Sequence, residues 1–352
     1  MIFDQVVDLI EKGKEGRNIG LPFGNHERLL QYIPNIQKGT YYLLGALSGC
    51  GKTSYVDETF VFVPFEYVIN NPNVKLDIIY YSYEIEKRIK IAKAVCRHIF
   101  YKHKIIVDVN YILSRGKNRI STEIFNMVVE TRDHFSKLED ILHIKDIPIH
   151  PTGVNADLAK FYEKQGKISG EGPTRTYTPH HPNHYVIVVI DHIALSKREQ
   201  GFSTKENIDK LSEYMVYNRN LYGTTPVLIS QFNRDISGTD RVKVNRLLPQ
   251  NSDFKDSGNP FQDSNIVLAL FAPHRMDIPT FDGHKVNILQ DRYRALSILK
   301  NRDGDTDVIM SMKYIGEVGT FKELPNSSEI DENGYKQIIN GINARKYRDS
   351  SL

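Results

Sequence analysis

Long apolar runs are missing from this sequence, and so is any surplus of charge. No stretch approaches the ~18–20 consecutive apolar residues that a membrane-spanning helix needs. Lys plus Arg total 46 against 43 Asp plus Glu, a formal net charge of +3 over 352 residues. That balance excludes a polybasic nucleic-acid tail or an acidic disordered region as the main theme. Any nucleic-acid contact has to come from local loops rather than the global field. Cysteine is scarce: Cys50 and Cys96 cannot build a disulfide framework and point to a reducing, cytoplasmic setting. The N-terminus puts Asp4 and Asp8 where a secretory leader would need apolar continuity. Repeats at solenoid periods are absent, and the length allows one or two domains.

What the sequence does contain is alternation. Phe3, Val6, Val7 and Ile10 share one face of a short amphipathic helix over residues 3–12, and Gly13, Gly16 and Gly20 break the chain after it. Beyond it, short apolar runs stand at Tyr41–Leu44, Ile78–Tyr81, Tyr185–Ile190, Val227–Ile229, Ile266–Phe271 and Leu296–Leu299. Several are apolar throughout, as strands buried on both faces of a parallel sheet are. Helical patterns lie between them. One runs over 204–222, with Ser203 and Glu206 at capping-box spacing and Ile208, Leu211 and Met215 on one face. The pattern predicts an α/β fold with a mostly parallel sheet flanked by helices. It divides into an N-terminal helix at 1–19, a main domain at 20–325 and a polar tail at 326–352 with a mobile end. Residues 163–184, rich in Gly, Pro, Thr and His, read as an inserted loop.

The strongest chemical signal is Ala46-Leu47-Ser48-Gly49-Cys50-Gly51-Lys52-Thr53, which follows an apolar run and opens a helix at Ser54. The pattern Gly-x-x-x-x-Gly-Lys-Ser/Thr describes a loop whose backbone N–H groups wrap phosphates. Lys52 would neutralise the β- and γ-phosphates, and the Thr53 hydroxyl would hold Mg²⁺. Ala46 replaces the first glycine with another small residue. The spacing therefore predicts binding of a nucleoside triphosphate, ATP in the first instance.

Phosphoryl transfer needs further groups: a carboxylate for the metal, a group to orient water and a cation for the developing charge. Asp191 ends the run Tyr185–Ile190, where a Walker B aspartate belongs, though a strand-end Asp can also cap the next element. Glu84 follows Ile78–Tyr81 and would polarise the attacking water, with Glu86 as its local competitor. Gln231 closes Val227–Ser230, either as a γ-phosphate sensor or as a plain polar strand terminus. Polar groups at several strand ends beside one phosphate loop fit the rule that open α/β sheets bind ligands there.

Together these segments resemble the C-terminal motor domain of DnaB-type replicative helicases, within the RecA-like ATPases. The match runs through the loop at 46–53, Ser82-Tyr83-Glu84-Ile85, Val189-Ile190-Asp191-His192 and Ser230-Gln231-Phe232-Asn233-Arg234. It continues through Asn251-Ser252-Asp253-Phe254-Lys255-Asp256-Ser257-Gly258, Gln262-Asp263 and Lys300-Asn301-Arg302-Asp303-Gly304, covering roughly residues 20–320. The resemblance implies a hexameric, Mg²⁺-dependent ATPase that moves 5′ to 3′ on single-stranded DNA and unwinds duplex during replication. A RecA-like ATPase that forms or remodels a recombination filament is the alternative. By resemblance, Lys52 and Thr53 bind phosphate and Mg²⁺, Glu84 activates water, Asp191 supports the metal, and Gln231 links nucleotide to the DNA loops. Lys300 and Arg302 would reach a neighbouring subunit's nucleotide as piston and arginine finger, whereas in isolation Arg302 reads as a surface hairpin arginine. Lys255, with N–H groups near Asp256 and Gly258, would hold a DNA phosphate. Arg234, Arg241, Lys243 and Arg246 are secondary candidates.

Departures from the family pattern qualify these expectations. Only about 20 residues precede the motor domain, so the helical collar of bacterial DnaB is not represented. That suggests a minimal phage- or virus-encoded form in an infected bacterial cytoplasm and puts recruitment of primase or a helicase loader in question. The helix at 3–12 resembles the linker that docks on an adjacent subunit, with folding back on its own domain as the alternative. His192, Ile193 and Ala194 stand where the family often has an aromatic and a glutamine. Pro64 is expected to shorten or kink the helix after the phosphate loop. His180, His181 and His184 sit in a Pro-rich segment with no partnering pattern for a metal.

Overall fold

The computed structural model describes residues 2–346 except 17–19, 25, 116, 118, 234–235, 237–247, 255–257 and 341–344. Helix α1 (Ile2–Lys14) comes first, then β1 (Tyr42–Ala46), α2 (Lys52–Val56), α3 (Val63–Ile69), β2 (Lys75–Ser82) and α4 (Lys87–His103). Next are α5 (Thr122–Glu130), α6 (Arg132–Ile141), β3 (Leu142–Lys145), α7 (Pro151–Gln165), β4 (Gly166–Ser169), β5 (Thr176–Pro179) and β6 (His184–Asp191). Then follow α8 (Thr204–Tyr222), β7 (Thr225–Gln231), α9 (Gly258–Asp263), β8 (Ile266–Phe271), β9 (Tyr293–Asn301), β10 (Val308–Ile315), β11 (Thr320–Glu323) and α10 (Glu332–Asn340).

All six apolar runs are strands of one nine-stranded sheet in the order β11-β10-β9-β8-β1-β7-β6-β2-β3. The stretch from β8 to β3 is parallel throughout, while β9, β10 and β11 add antiparallel to its edge. Strand period two divides β1 between two cores: Tyr42, Leu44 and Ala46 face one layer of helices, and Leu43, with the preceding Tyr41, faces the other. Burial on both faces explains why these strands read as continuous apolar runs. Helix α8 starts as its capping box predicts, with the Glu206 N–H donating to Ser203 Oγ at 3.2 Å and the Ser203 N–H to Glu206 Oε2 at 2.7 Å. Both cysteines are buried and unpaired.

Three expectations change. Pro64 does not shorten the helix after the phosphate loop, because a π-helical turn at Asp57–Phe62 joins α2 to α3. There the Val63 N–H reaches back five residues to Glu58 O, so the wider register takes the helix into the proline without a break. A buried ion pair and a buried hydrogen bond hold that turn: Lys90 Nζ donates to Asp57 at 2.8 Å, and Glu58 Oε2 accepts the Phe321 N–H at 2.6 Å. Residues 163–184 are no open loop. They finish α7, form the β4–β5 hairpin and enter β6, whose first residue His184 is buried with Nε2 2.7 Å from Asp77 Oδ2. The tail after 326 is not merely polar, since α10 drives Tyr335 into an apolar cluster with Val286, Leu289, Tyr293 and Leu324.

Helix α1 forms where expected, and its apolar face stays open. Phe3, Leu9 and Ile10 are all more than half exposed.

Candidate nucleotide site and its comparisons

Strand order alone gathers the candidate site. β1, β7, β6 and β2 are consecutive and parallel, so their C-terminal ends lie side by side, with Ala46 opposite Gln231 and Ser82 opposite Asp191. The phosphate loop leaves β1 at Ala46 and turns through Gly49 and Gly51, whose φ angles of 76° and 98° suit glycine. Lys52 opens α2 buried, at 5% exposure, with Nζ 3.9 Å from Glu84 Oε2. Glu84 is the more exposed partner and is free to swing toward solvent. Glu86, its competitor in the sequence, pairs instead with Arg88 at 2.6 Å on an exposed surface. That separates the two glutamates by geometry where the sequence could not.

Asp191 is fully buried at the end of β6. Its Oδ2 accepts the Thr53 hydroxyl at 2.8 Å and lies 3.4 Å from the Tyr80 hydroxyl, while Oδ1 has no hydrogen-bond partner among the described residues. A buried carboxylate oxygen without a donor is costly. Together with the Thr53 hydroxyl it makes the hard oxygen set that suits Mg²⁺. Thr53 and Asp191 therefore fit the ion expected there. His192 follows through a cis peptide bond. Its imidazole is pushed below its usual range by burial, with Lys52 adding to the effect and Glu84 and Asp191 opposing it.

Two arginines that sequence reading missed brace the loop. Arg294, on β9, is fully buried and donates from Nε to Cys50 O at 2.7 Å and from Nη1 to Asp291 O at 2.8 Å. Its guanidinium lies 4.6 Å from the Tyr314 ring centroid, and Tyr314 stacks on Phe321. Both rings crowd Gly51, where an added Cβ would come within 3.0 Å of Tyr314. Arg275 donates to Ser48 O at 3.3 Å from the other side. No motif spacing marks either arginine, because each comes from an element more than 200 residues along the chain.

The end of β7 connects the site to the segment resembling a DNA loop. Directly after Gln231, the Phe232 N–H donates to Ala46 O at 3.0 Å, and Phe232 forms a bridge with Phe254. The rings meet edge to face at 4.9 Å, and the Asn233 N–H donates to Asp253 O at 2.8 Å. Gly45 on β1 makes room for both rings. Gly258 starts α9 in open space. Arg234, Arg241, Lys243, Arg246, Lys255 and Asp256 lie outside the described residues.

Lys300 and Arg302 are not brought to this chain's own phosphate loop. Lys300 Nζ donates to Phe261 O at 3.0 Å, and Arg302 Nη2 donates to Gln262 O at 3.1 Å, at the last carbonyls of α9. Arg219 joins them, donating to Asp263 O at 3.1 Å. Lys300 pairs with Val267 at the start of β8, whereas the loop leaves the opposite end of β1. The five residues of β1 put about 15 Å between the two ends at ~3.3 Å per residue. Burial first, and then repulsion from Arg302, hold the Lys300 and Arg219 pKa values below normal against the pull of Asp263.

Comparison with known proteins bears on the fold and on the C-terminal part of the chain. Residues 173–323 match the family model described as DnaB-like helicase C terminal domain. The fold is shared with a solved structure of an isolated ATPase domain at 18% identity, with a TM-score of 0.67 over 92% of this chain and 99% of that one. It is also shared with a DnaB-like replicative helicase whose structure was reported with its interactions with primase. That match has 18% identity and a TM-score of 0.65 over 92% of this chain, but covers only 66% of the helicase chain. No curated protein sequence matches the chain. On these grounds residues 173–323 are similar to the DnaB-like helicase C-terminal domain, and the chain shares the α/β fold of these ATPase-domain structures.

Proposed function

We propose that this chain is an ATP-hydrolysing DNA helicase of replication that works as a ring of six around single-stranded DNA. The observation that carries the reading is the short connection from Gln231 through Phe232 to Phe254. It joins the γ-phosphate side of the nucleotide site to the segment resembling the DNA-holding loop. In this reading the loop at 46–53 and Lys52 bind the triphosphate, and Glu84 orients and deprotonates the attacking water. Mg²⁺ held by Thr53 and Asp191 would neutralise charge on the phosphate oxygens. Gln231 senses the γ-phosphate, and its state reaches Phe254 and the loop at 252–258, where Lys255, Asp256 and Gly258 would contact a DNA phosphate, with Arg234 of the preceding loop as a secondary contact.

Lys300 and Arg302 act across the interface on a neighbour's nucleotide. Their distance from this chain's own loop supports that role. A rigid guanidinium suits the task, and a finger in trans is worth about 10³–10⁵ in rate. The open apolar face of α1 supports docking on an adjacent subunit, the reading in which α1 resembles a linker helix. Movement 5′ to 3′, and contacts with primase or a loader in a bacterial cytoplasm, belong to the same proposal by resemblance. Salt-dependent DNA binding follows if six loops contribute phosphate contacts.

The test is ATP hydrolysis with and without single-stranded DNA, on Lys52→Ala, on Arg302→Ala and on their mixture. The expected outcome is DNA-stimulated turnover, two inactive variants and partial recovery on mixing. Normal turnover by Arg302→Ala would remove the trans finger. Open filaments in place of six-membered rings in negative-stain images would instead favour the recombination-type alternative.

A further inference from the structure

Away from the nucleotide site, three helices bring two imidazoles and a carboxylate to one point. Glu66 lies on α3, His98 on α4 and His134 on α6, and a ligand atom from each falls within 4.8 Å of the others. The His98 and His134 ring centroids are 4.1 Å apart. His134 Nε2 is 3.4 Å from Glu66 Oε1, while the His98 ring has no hydrogen-bond partner among the described residues. Phe65 meets His134 edge-on at 5.1 Å, and Phe135 meets His98 at 5.9 Å. These phenyl rings wall the apolar side and fix the imidazole planes. The opposite side is open, since half of the Glu66 side chain is exposed and His134 retains 21%.

We propose that Glu66, His98 and His134 form a binding site for a first-row divalent metal ion of the zinc class, separate from the Mg²⁺ position. Three atoms within 4.8 Å of one another can all lie at most about 2.8 Å from a common centre. Zinc needs about 2.0–2.2 Å, so small side-chain rotations complete the approach. Two nitrogens and one oxygen, with water in the fourth position, are a zinc-type donor set. The charged groups facing the cluster include Lys102, Lys137, Arg97 and His103, which weaken affinity for a cation. Glu66 opposes them.

The consequence is mechanical. The helical run that begins at the phosphate loop ends in α3, and a bound ion would tie α3 to α4 and α6. Nothing in the sequence flags this, because the ligands are 32 and 36 residues apart and follow no metal-binding spacing.

The test uses the full chain, stripped of metal with a chelator and titrated with zinc chloride. A chromophoric chelator counts bound ion, and cobalt(II) substitution reports coordination. The expected result is one zinc per chain, which weakens at least about 100-fold in both His98→Gln and His134→Gln. Cobalt should show the strong visible bands of a four-coordinate site, and zinc should raise Tm in the wild type alone. Thr53→Ala should keep the zinc, which distinguishes it from ion bound at the nucleotide site. Equal zinc uptake by wild type and both histidine variants, or no uptake at all, overturns the proposal. If a histidine variant does not fold, Glu66→Gln at a half-exposed position replaces it, with at least about 10-fold weaker binding expected and unchanged binding counting against the site.

Discussion

Gly45→Ala is the substitution that most directly probes the connection between nucleotide and loop. Gly45 precedes the phosphate loop on β1, and a Cβ there would stand 2.2 Å from a Phe232 ring carbon and 2.5 Å from one of Phe254. Both rings are nearly fully buried, so neither can swing into solvent. One extra methyl in a packed site of this kind costs about 1–3 kcal/mol through forced side-chain and backbone shifts. The displacement falls on the Phe232–Phe254 pair, which ties β7 to the 251–254 segment. Urea unfolding should therefore show a stability loss of that size. Single-stranded DNA should stimulate ATP hydrolysis far less, while hydrolysis without DNA changes little. Phe254→Leu in the same chain should relieve part of the strain, giving a coupling of about 0.5–3 kcal/mol between the two sites. Strict additivity, or full DNA stimulation in Gly45→Ala, would refute the claim that this contact carries the signal.

Other features give independent tests. Lys90→Met leaves Asp57 buried without its ammonium partner and should cost about 3–5 kcal/mol by chemical denaturation, most of it recovered in the Asp57→Asn/Lys90→Met double variant. Asp77 lies 2.7 Å from both His143 Nε2 and His184 Nε2. Burial would raise its pKa, but these two hydrogen bonds prevail and hold it below its usual value. A depressed carboxylate pKa contributes stability above the unfolded value of about 3.9, and that contribution is lost as pH falls through the folded value. Asp77→Asn should thus be less stable than wild type by about 1.5–3 kcal/mol at pH 7, with the gap closing below about pH 4 in a pH series of unfolding curves.

Much of the candidate site was legible because its segments are local. A strand, a glycine turn and a helix start put Lys52 and Thr53 in a recognisable string. Burial on both faces made the strands continuous apolar runs, so Asp191, Glu84 and Gln231 could be read as strand-end residues. The capping box at Ser203 and Glu206 likewise needs only its own four residues. Sequence could not choose between Glu84 and Glu86, because the choice depends on which carboxylate faces Lys52 across the β1–β2 crossover. It misjudged Pro64, since the local rule for proline takes no account of the Asp57–Lys90 and Glu58–Phe321 contacts that hold the π-helical turn. Residues 163–184 looked like a loop because turn-forming composition is shared by loops and hairpins, and only strand pairing separates them.

The sequence by itself determined the glycine-rich strand–turn–helix string and where along the chain the strands fall, because each signal is confined to a few consecutive residues. Tertiary structure alone decided which distant groups meet. Arg294 braces a loop 244 residues away, Gly45 seats two phenyl rings from other segments, and Glu66, His98 and His134 converge from three helices. Such contacts depend on how whole layers pack, and packing leaves no period or spacing in the chain.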